Sequence, residues 1–554
     1  MKLRATVRPS SNPIRLVALL LGFAFSAFYA GTSRGVFVFG DDILMQQVTA
    51  SIWERGEVTV ASPHWRGDNA RSILGLEHNR YAKYGLGQSI VALPFYGASH
   101  RLFDRLELTT TSDRVGNLRS GPEVFGTGLT NAAIGGATVA VTFLVAVELG
   151  FPLLVALMTA FCLGAATLLA HYASTFLSEP LSALCLAAAV LGLVRAENMF
   201  QRPRAAQGDQ GNASARKEER ASVSNAPAGH AWLALSGFSA GLLVATKVAF
   251  IVVVIPMAAW VAYLGWTFPT TGRVRILVKH FLYWIFFFAL WLVGIAAYNY
   301  LRFGTVFETG YGKEGGMFST PLFVGLSGLL VTPAKGIVWY SPIVLLGVAG
   351  WPGLRRRREA CAWGILGMSV AWLLLISRYY QWYGGGCWGP RFVVPLLPLW
   401  ILPSAEIFAR FRAASWFRRA VIVAVVLGSL AVSAAPLLTS FDQIGSALAT
   451  SRSEVEATSW QLEGSVPAHA LALLPRSTLR TVELMVGRLP VHADDPSRFG
   501  PTMPDFAFAH YGSHALLDWT RGCFLIAGSL LAIAAALARP RVTPALAGDD
   551  GPQG

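Results

Sequence analysis

Charge is scarce in this sequence. Only 14% of its 554 residues are Asp, Glu, Lys or Arg, where a soluble chain carries about a quarter. Hydrophobic residues make up 54%, and the mean hydropathy is +0.49. A soluble globular fold is therefore excluded. Cysteine is scarce as well. Of the five, Cys162, Cys185, Cys361 and Cys523 lie in apolar runs and only Cys387 in a loop, which leaves no disulfide framework. No internal repeat marks a transporter built from duplicated halves. Gly384-Gly385-Gly386 has neither GxGxxG spacing nor a strand before it, so it implies no nucleotide site.

Long apolar runs are abundant. They recur along the whole chain at about 18 residues or more, enough to cross a ~30 Å hydrocarbon core as helices. Their continuity excludes the alternating pattern of a barrel, the other structure that satisfies its backbone in lipid. The sequence thus predicts an all-α polytopic membrane protein. Spans fall near 14–33, 124–148, 152–170, 179–196, 231–246, 248–266, 281–300, 337–353, 360–377, 392–409, 420–438 and 522–538, giving twelve crossings with both termini in the cytoplasm. The first run follows Lys2, Arg4, Arg8 and Arg15, and ends in Ala27-Phe28-Tyr29-Ala30. Those bulky residues suit an uncleaved anchor rather than a cleavage site. In this topology the whole formal excess of +14 lies on the cytoplasmic side, as the positive-inside rule requires. The pI near 9.8 needs no nucleic-acid partner.

Three regions are expected: a transmembrane domain over 1–438, an extracytoplasmic segment over 439–521, and a last span with its tail over 522–554. The first outer loop occupies 34–121. Its segment 85–103 is apolar enough to be counted as a span but contains Gly87, Pro94 and Gly97. Counting it would place Arg355-Arg356-Arg357-Arg358 outside, so it is expected to lie at the outer interface. Residues 197–230 are rich in Arg, Ala, Gly, Gln and Ser, the composition of a disordered cytoplasmic loop. Asn212-Ala213-Ser214 in that loop faces the wrong compartment for glycosylation. Gly237 and Gly241 form a GxxxG pattern that suits helix packing.

A charge inside the membrane costs roughly 2.5–3.5 kcal/mol at a helix centre, so charges at span edges are candidates for function. Asp41 and Asp42 follow the first span directly. Adjacent carboxylates repel, and at an apolar edge one of them suits a proton acceptor with a raised pKa. Capping the next helix is the competing role. Further along come Asn79-Arg80-Tyr81-Ala82-Lys83-Tyr84-Gly85, then His171-Tyr172 through Ser178-Glu179-Pro180, then Gly241 to Lys247. Asn299-Tyr300-Leu301-Arg302-Phe303-Gly304 and Trp382-Tyr383 through Pro390-Arg391 complete the series. All of these fall on the predicted outer face.

In this order the segments resemble the GT-C glycosyltransferases that use polyprenyl-phosphate sugars, among them protein O-mannosyltransferases and the lipid A aminoarabinose transferase. The resemblance spans roughly residues 14–400. There an acidic pair follows the first span, and a Tyr-x-x-Lys-Pro-Pro-like segment follows some forty residues later. This chain keeps Tyr81 and a lysine but lacks the Pro-Pro.

The resemblance implies Asp41 as catalytic base, with Asp42 as the alternate. It implies Lys83, Lys247 and Arg391 as cations facing the carrier phosphate, and places Glu179 and Arg302 in the substrate site. Each has a structural competitor. Lys247 suits snorkelling, Lys83 a surface pair with Glu77, Arg391 an interfacial anchor, and Glu179 a helix cap. Trp382 and Tyr383 suit a sugar-stacking surface or an aromatic belt at the bilayer edge. His492, Asp494 and Asp495 are more ordinary as surface polar residues than as metal ligands.

The reaction implied is transfer of a sugar from a polyprenyl-phosphate carrier to an extracytoplasmic glycan, lipid or protein acceptor, inverting the anomeric centre. No cofactor beyond that donor is expected, and a divalent metal stays open. The basic, Ala/Gly/Arg-rich composition suggests a bacterial plasma membrane. Two other readings remain: a transporter or flippase that binds a lipid-linked glycan with the same cations, and a non-catalytic assembly factor. The acidic pair discriminates, because a site that only binds a phosphate lipid gains nothing from two carboxylates beside the anion.

Overall fold

The structure, a computed structural model, describes residues 11–37, 40–60, 72–103, 108, 121–201, 212–266, 273–312, 317–440, 443–444, 460–491 and 500–539. It is helical almost throughout. Ten helical stretches among the described residues are long and apolar enough to cross a membrane. They include α1 (Ser11–Gly31), which is followed by α2 (Gly40–Arg55). Next come a two-stranded ribbon, β1 (Ser72–Leu74) and β2 (Arg80–Ala82), and α3 (Gly87–Phe103).

Two of the twelve expected spans are shorter than the rest. After α4 (Pro122–Glu148), the run 152–170 divides into α5 (Leu153–Ala165) and α6 (Leu169–Tyr172). α7 (Glu179–Gln201), α8 (Asn212–Thr246), α9 (Ile251–Trp266) and α10 (Arg273–Phe303) follow, and then α11 (Leu322–Leu330). The run 337–353 divides into α12 (Ile337–Tyr340) and α13 (Val344–Arg357). Ser341 leaves helical geometry at φ −149°, and Pro342 follows it with no backbone N–H to continue the ladder. The ends of both broken segments are held by specific contacts. At one end Tyr172 donates to the Trp388 carbonyl (2.7 Å), with the Tyr340 ring edge-on to Trp388. At the other, Arg357 stacks over Phe151 and pairs with Glu406.

The chain continues through α14 (Glu359–Ile376) and α15 (Leu397–Ile401) to α16 (Ser404–Ala409) and α17 (Trp416–Leu438). α18 (Val466–Met485), α19 (Ala507–Tyr511) and α20 (His514–Ala538) close it. One end of the bundle gathers Asp41, Glu179, Lys247 and Arg391. The far end gathers Glu148, Arg195 and Asn198 in one cluster, and Arg357, Glu406 and Arg410 in another.

α3 packs against α2 and α4. An added Cβ on Gly126 would strike Ser99, and Gln88 donates to Asn131 (2.9 Å). Both contacts fall within the first ten residues of α4. Twelve residues of α3 (88–99) are thus bracketed by contacts to six of α4 (126–131). The expected loop 197–230 is helical in its described parts, 197–201 and 212–230. α7 continues to Gln201 and α8 begins at Asn212, with residues 202–211 outside the description. Its Ala, Arg, Lys and Glu content carries high helix propensity, which outweighs its low hydrophobicity. Gly237 and Gly241 admit α10, since a Cβ on Gly237 would lie 2.0 Å from the Trp284 carbonyl oxygen. This is the packing use of small residues.

The segment 439–521 is tied to the start of the chain. α18 is capped by Ser465, whose side chain accepts from Ala468 N–H, and packs against α17. Phe506, Phe508 and Tyr511 share an apolar cluster with Phe103 and Phe125. Tyr511 donates its hydroxyl to the Gly35 carbonyl (2.7 Å) and accepts from Gly121 N–H (3.1 Å).

Topology is checked by cysteine labelling in intact cells. Cysteines at Glu57, Phe307 and Gly386 are expected to react from outside, and those at Arg356 and Arg412 only after permeabilisation. Labelling of Arg356 from outside would make 85–103 a span and reverse every later segment.

Candidate active site

Asp41 and Asp42 occupy the first turn of α2, where the helix dipole favours carboxylates. Their surroundings differ. Asp41 is partly exposed, and both of its oxygens are bonded: Oδ1 accepts from the Tyr84 hydroxyl (2.6 Å) and Oδ2 from Arg391 Nη1 (2.9 Å). Asp42 is 2% exposed, and its Oδ1 has no hydrogen-bond partner among the described residues. Burial first, then the charges of Asp41 and Glu179, hold its carboxyl well above the usual range. Asp42 is therefore biased toward its protonated form, while Asp41 is the one of the pair that solvent can reach. Burial and the Asp41 charge likewise raise Tyr84, which keeps the proton it donates.

Arg391 arrives from a tight turn. Gly384, Gly385 and Gly389 have φ of +78°, +71° and +68°, conformations that glycine adopts without strain. A Cβ on Gly384 would also press on Arg391 Cγ at 2.8 Å. Lys335 ties this turn from beneath, donating to the carbonyls of Gly385 (3.0 Å) and Cys387 (2.7 Å). Burial lowers its pKa to about 8. Burial also pushes the Cys387 thiol up to about 12, so it offers no thiolate at neutral pH.

The second acidic position lies alongside. Glu179 begins α7, is 2% exposed, and pairs through Oε1 with Lys247 Nζ (3.2 Å) at the end of α8. Lys247 also stands over the Phe392 ring at 4.9 Å, with the Arg391 guanidinium 5.0 Å from that ring. Phe392 thus links the two cations. Glu179 Oε2 and Arg391 Nε are buried without hydrogen-bond partners among the described residues. Buried polar atoms are rarely left so.

Lys83 and Arg302 line an adjoining cavity with Leu86, Ala245, Ile295 and Tyr298. Arg302 is almost wholly buried. Its Nη1 donates to the Ala82 carbonyl (2.6 Å), its Nη2 to Asn299 Oδ1 (2.7 Å), and its plane stacks 3.7 Å from the Tyr298 ring centre. It anchors the ribbon that presents Lys83 and Tyr84. The ribbon reaches the bundle because Gly85 allows it: a Cβ there would lie 2.2 Å from the Ala245 carbonyl oxygen.

Of the residues singled out from sequence, Asp41, Asp42, Glu179, Lys247 and Arg391 converge, while Lys83 and Arg302 share the neighbouring cavity. Trp382 corrects an expectation. Its side chain is 1% exposed and seated on Gly328, so it presents no face to a sugar or to the bilayer edge. Tyr383 is also buried, edge-on to Trp382. His492, Asp494 and Asp495 lie outside the described residues, and among those described no three His, Cys, Asp or Glu side chains gather as metal ligands. Sequence reading missed Tyr84 as the donor to Asp41, although it lay within a quoted segment. It also missed Lys335, whose signal was a lone lysine in an apolar stretch, and Arg34.

Arg34 closes the back of the site. It follows α1, is 4% exposed, and pairs with Asp505 (Nε–Oδ2 2.7 Å). Asp505 also meets His510 Nε2 at 2.8 Å. Burial alone would raise Asp505, but Arg34 and His510 overcome it and hold the carboxyl at about 2.

No protein-family model matches the sequence, and no curated protein is detectably similar to it. Likeness is found among solved structures. ArnT from Cupriavidus metallidurans bound to undecaprenyl phosphate aligns with TM-score 0.47 at 13% identity, over 95% of this chain and 77% of that one. Its apo state aligns with TM-score 0.45 at 14% identity, over 95% and 76%. The S. cerevisiae protein O-mannosyltransferase Pmt1–Pmt2 complex bound to its sugar donor aligns with TM-score 0.34 at 16% identity, over 59% and 37%. What fold and site define directly is an all-α, multi-span protein with a carboxylate, guanidinium and ammonium centre at one end.

Proposed function

We propose that the chain is a GT-C-type membrane glycosyltransferase. It takes a sugar from a polyprenyl-phosphate carrier and passes it to an acceptor outside the cytoplasm, in the plasma membrane of a bacterium. The observation that carries this reading is the Asp41–Arg391 pair, 350 residues apart in sequence, with Lys247–Glu179 beside it. A site that only binds an anion has no use for a solvent-reachable carboxylate among its cations. A transfer site needs both.

The step balances as a single displacement. The acceptor hydroxyl oxygen attacks the anomeric carbon on the face opposite the phosphate, and the new C–O bond inverts that centre. The bond to the phosphate oxygen breaks with its electron pair, releasing polyprenyl phosphate. The acceptor's proton passes to Asp41. Arg391 and Lys247 offset the leaving charge, the guanidinium being able to hold two oxygens at once.

The test is transfer of a labelled sugar from a polyprenyl-phosphate donor in liposomes, with mass spectrometry of any lipid-linked sugar that co-purifies. Movement of an intact lipid-linked glycan, with no sugar transferred, would identify a flippase instead. Neutralising the cations gives a graded result. Arg391→Gln, Lys247→Gln and Lys83→Gln are each expected to weaken donor binding by about 1.5–3 kcal/mol, the value of a charge-assisted hydrogen bond. Donor titration reads this directly. Unchanged binding in all three variants would leave the carrier assignment without support.

A further inference from the structure

The far end of the bundle carries a concentration of arginine that the transfer reading does not use. Arg355, Arg356, Arg357 and Arg358 close α13, and Arg410, Arg412, Arg418 and Arg419 lie between the end of α16 and the first turn of α17. The two runs form one patch. Arg357 Nε and Arg410 Nη2 share the buried Glu406 at 2.5 and 3.2 Å. Gly353 lets α13 approach closely, since a Cβ there would lie 2.8 Å from Glu406 Cγ. Arg419 folds the connecting turn back, donating to the carbonyls of Ala414 (2.8 Å) and Arg412 (3.2 Å). Glu406 pairs with two of the eight arginines and offsets one of their charges. Arg355, Arg356, Arg412 and Arg418 remain exposed around it.

Membrane topology alone does not account for this arrangement. An arginine anywhere in a short loop serves the positive-inside rule equally well. Here Arg418 and Arg419 sit in the first turn of α17, the positive end of the helix dipole, where a cation is disfavoured. Cations stacked on a positive helix end call for an anion. Apolar surface adjoins them: Trp416 is 78% and Phe417 62% exposed beside the arginines, and Val421, Val423 and Leu427 continue an exposed apolar face along α17. A ligand meeting both surfaces carries an anionic head and hydrocarbon chains.

We infer that the arginine patch formed by the ends of α13 and α16 and the start of α17 is a binding site for the headgroup of an anionic phospholipid. The phosphate meets Arg355, Arg356, Arg412 and Arg418, and the acyl chains lie along Trp416, Phe417 and the exposed face of α17. The site is at the end opposite Asp41 and is independent of sugar transfer.

Native mass spectrometry of the purified full chain tests this with phosphatidylglycerol and phosphatidylcholine titrated in parallel. Phosphatidylglycerol is expected to remain bound where phosphatidylcholine does not, with affinity falling as salt rises. Affinity is expected to fall about fivefold for each arginine replaced in the series R355Q, R356Q, R412Q and R418Q, by the electrostatic value of one basic residue near an anionic surface. The matching Arg→Lys series keeps charge and topology and is expected to retain most of the binding. Should a glutamine variant fail to fold, the wild-type salt titration and the lysine series still decide the matter. Equal retention of both lipids, salt-independent binding, or undiminished binding in the folded quadruple glutamine variant would overturn the proposal. Displacement of the lipid by an equal concentration of inorganic phosphate would also overturn it, by showing a site for free anions.

Discussion

Asp41→Asn is expected to lower sugar transfer by about 10²–10⁴-fold, the contribution of a general base, while leaving the protein folded. Asn preserves the shape of the side chain and much of its capping ability in the first turn of α2. Its oxygen still accepts from Tyr84 or Arg391, which both approach Asp41 in the structure. What it loses is the capacity to take a proton. Donor binding is expected to hold or tighten, because removing a carboxylate relieves its repulsion of the phosphate and frees Arg391. Asp42→Asn is the control. Asp42 is buried and biased toward its neutral form by burial and the neighbouring carboxylates, so its amide replacement is expected to cost far less transfer. The measurement pairs a transfer assay with donor binding on the same preparations. Retained transfer in Asp41→Asn, or a larger loss in Asp42→Asn, would refute this assignment of the base.

Asp505→Asn is expected to destabilise the protein by about 3–5 kcal/mol, because it strands Arg34 as a buried, uncompensated charge. Both partners are at most 5% exposed in their side chains, so solvent cannot replace the lost carboxylate. The same pair sets a pH dependence. Asp505 is held at about 2 in the folded chain, against about 3.9 when unfolded. A depressed carboxylate stabilises the fold fully above its unfolded value, and that contribution is lost as pH falls through the folded one. Wild type is therefore expected to lose stability between about pH 4 and pH 2, while Asp505→Asn lacks this component. Thermal unfolding in detergent across that range reads both effects. An unchanged melting temperature at neutral pH would mean that the Arg34–Asp505 contact contributes nothing to the fold.

Much of this was legible in the sequence, and the reasons differ by element. Helices such as α4, α10 and α17 are continuous apolar runs, so length and hydropathy identify them. α12 and α13 show the limit of that reading. Hydropathy reports that 337–353 is apolar, whereas Pro342 decides that the helix breaks. The described ends of 197–230 show a different limit, because low hydrophobicity reads as disorder where Ala, Arg, Lys and Glu sustain helix in α8. At the site, Asp41, Asp42, Glu179, Lys247 and Arg391 stood out because charges are costly at membrane edges. Their pairing did not, since Asp41 meets Arg391 only through the packing of the whole bundle. Trp382 was misplaced because an aromatic residue beside glycines reads the same whether it faces solvent or fills the groove over Gly328. Arg34 was hidden because its partner belongs to the segment 439–521, which had been taken as separate.

The 350-residue separation of Asp41 from Arg391 also has a meaning in time. At about 5–20 residues per second of synthesis, roughly 20–70 s pass between making the carboxylate and making the guanidinium that meets it. During that interval Asp41 has no Arg391 to meet, and Asp505 has yet to be made for Arg34. The Asp41–Arg391 pair therefore cannot form until residue 391 has been made, and Arg34 waits longer still for Asp505.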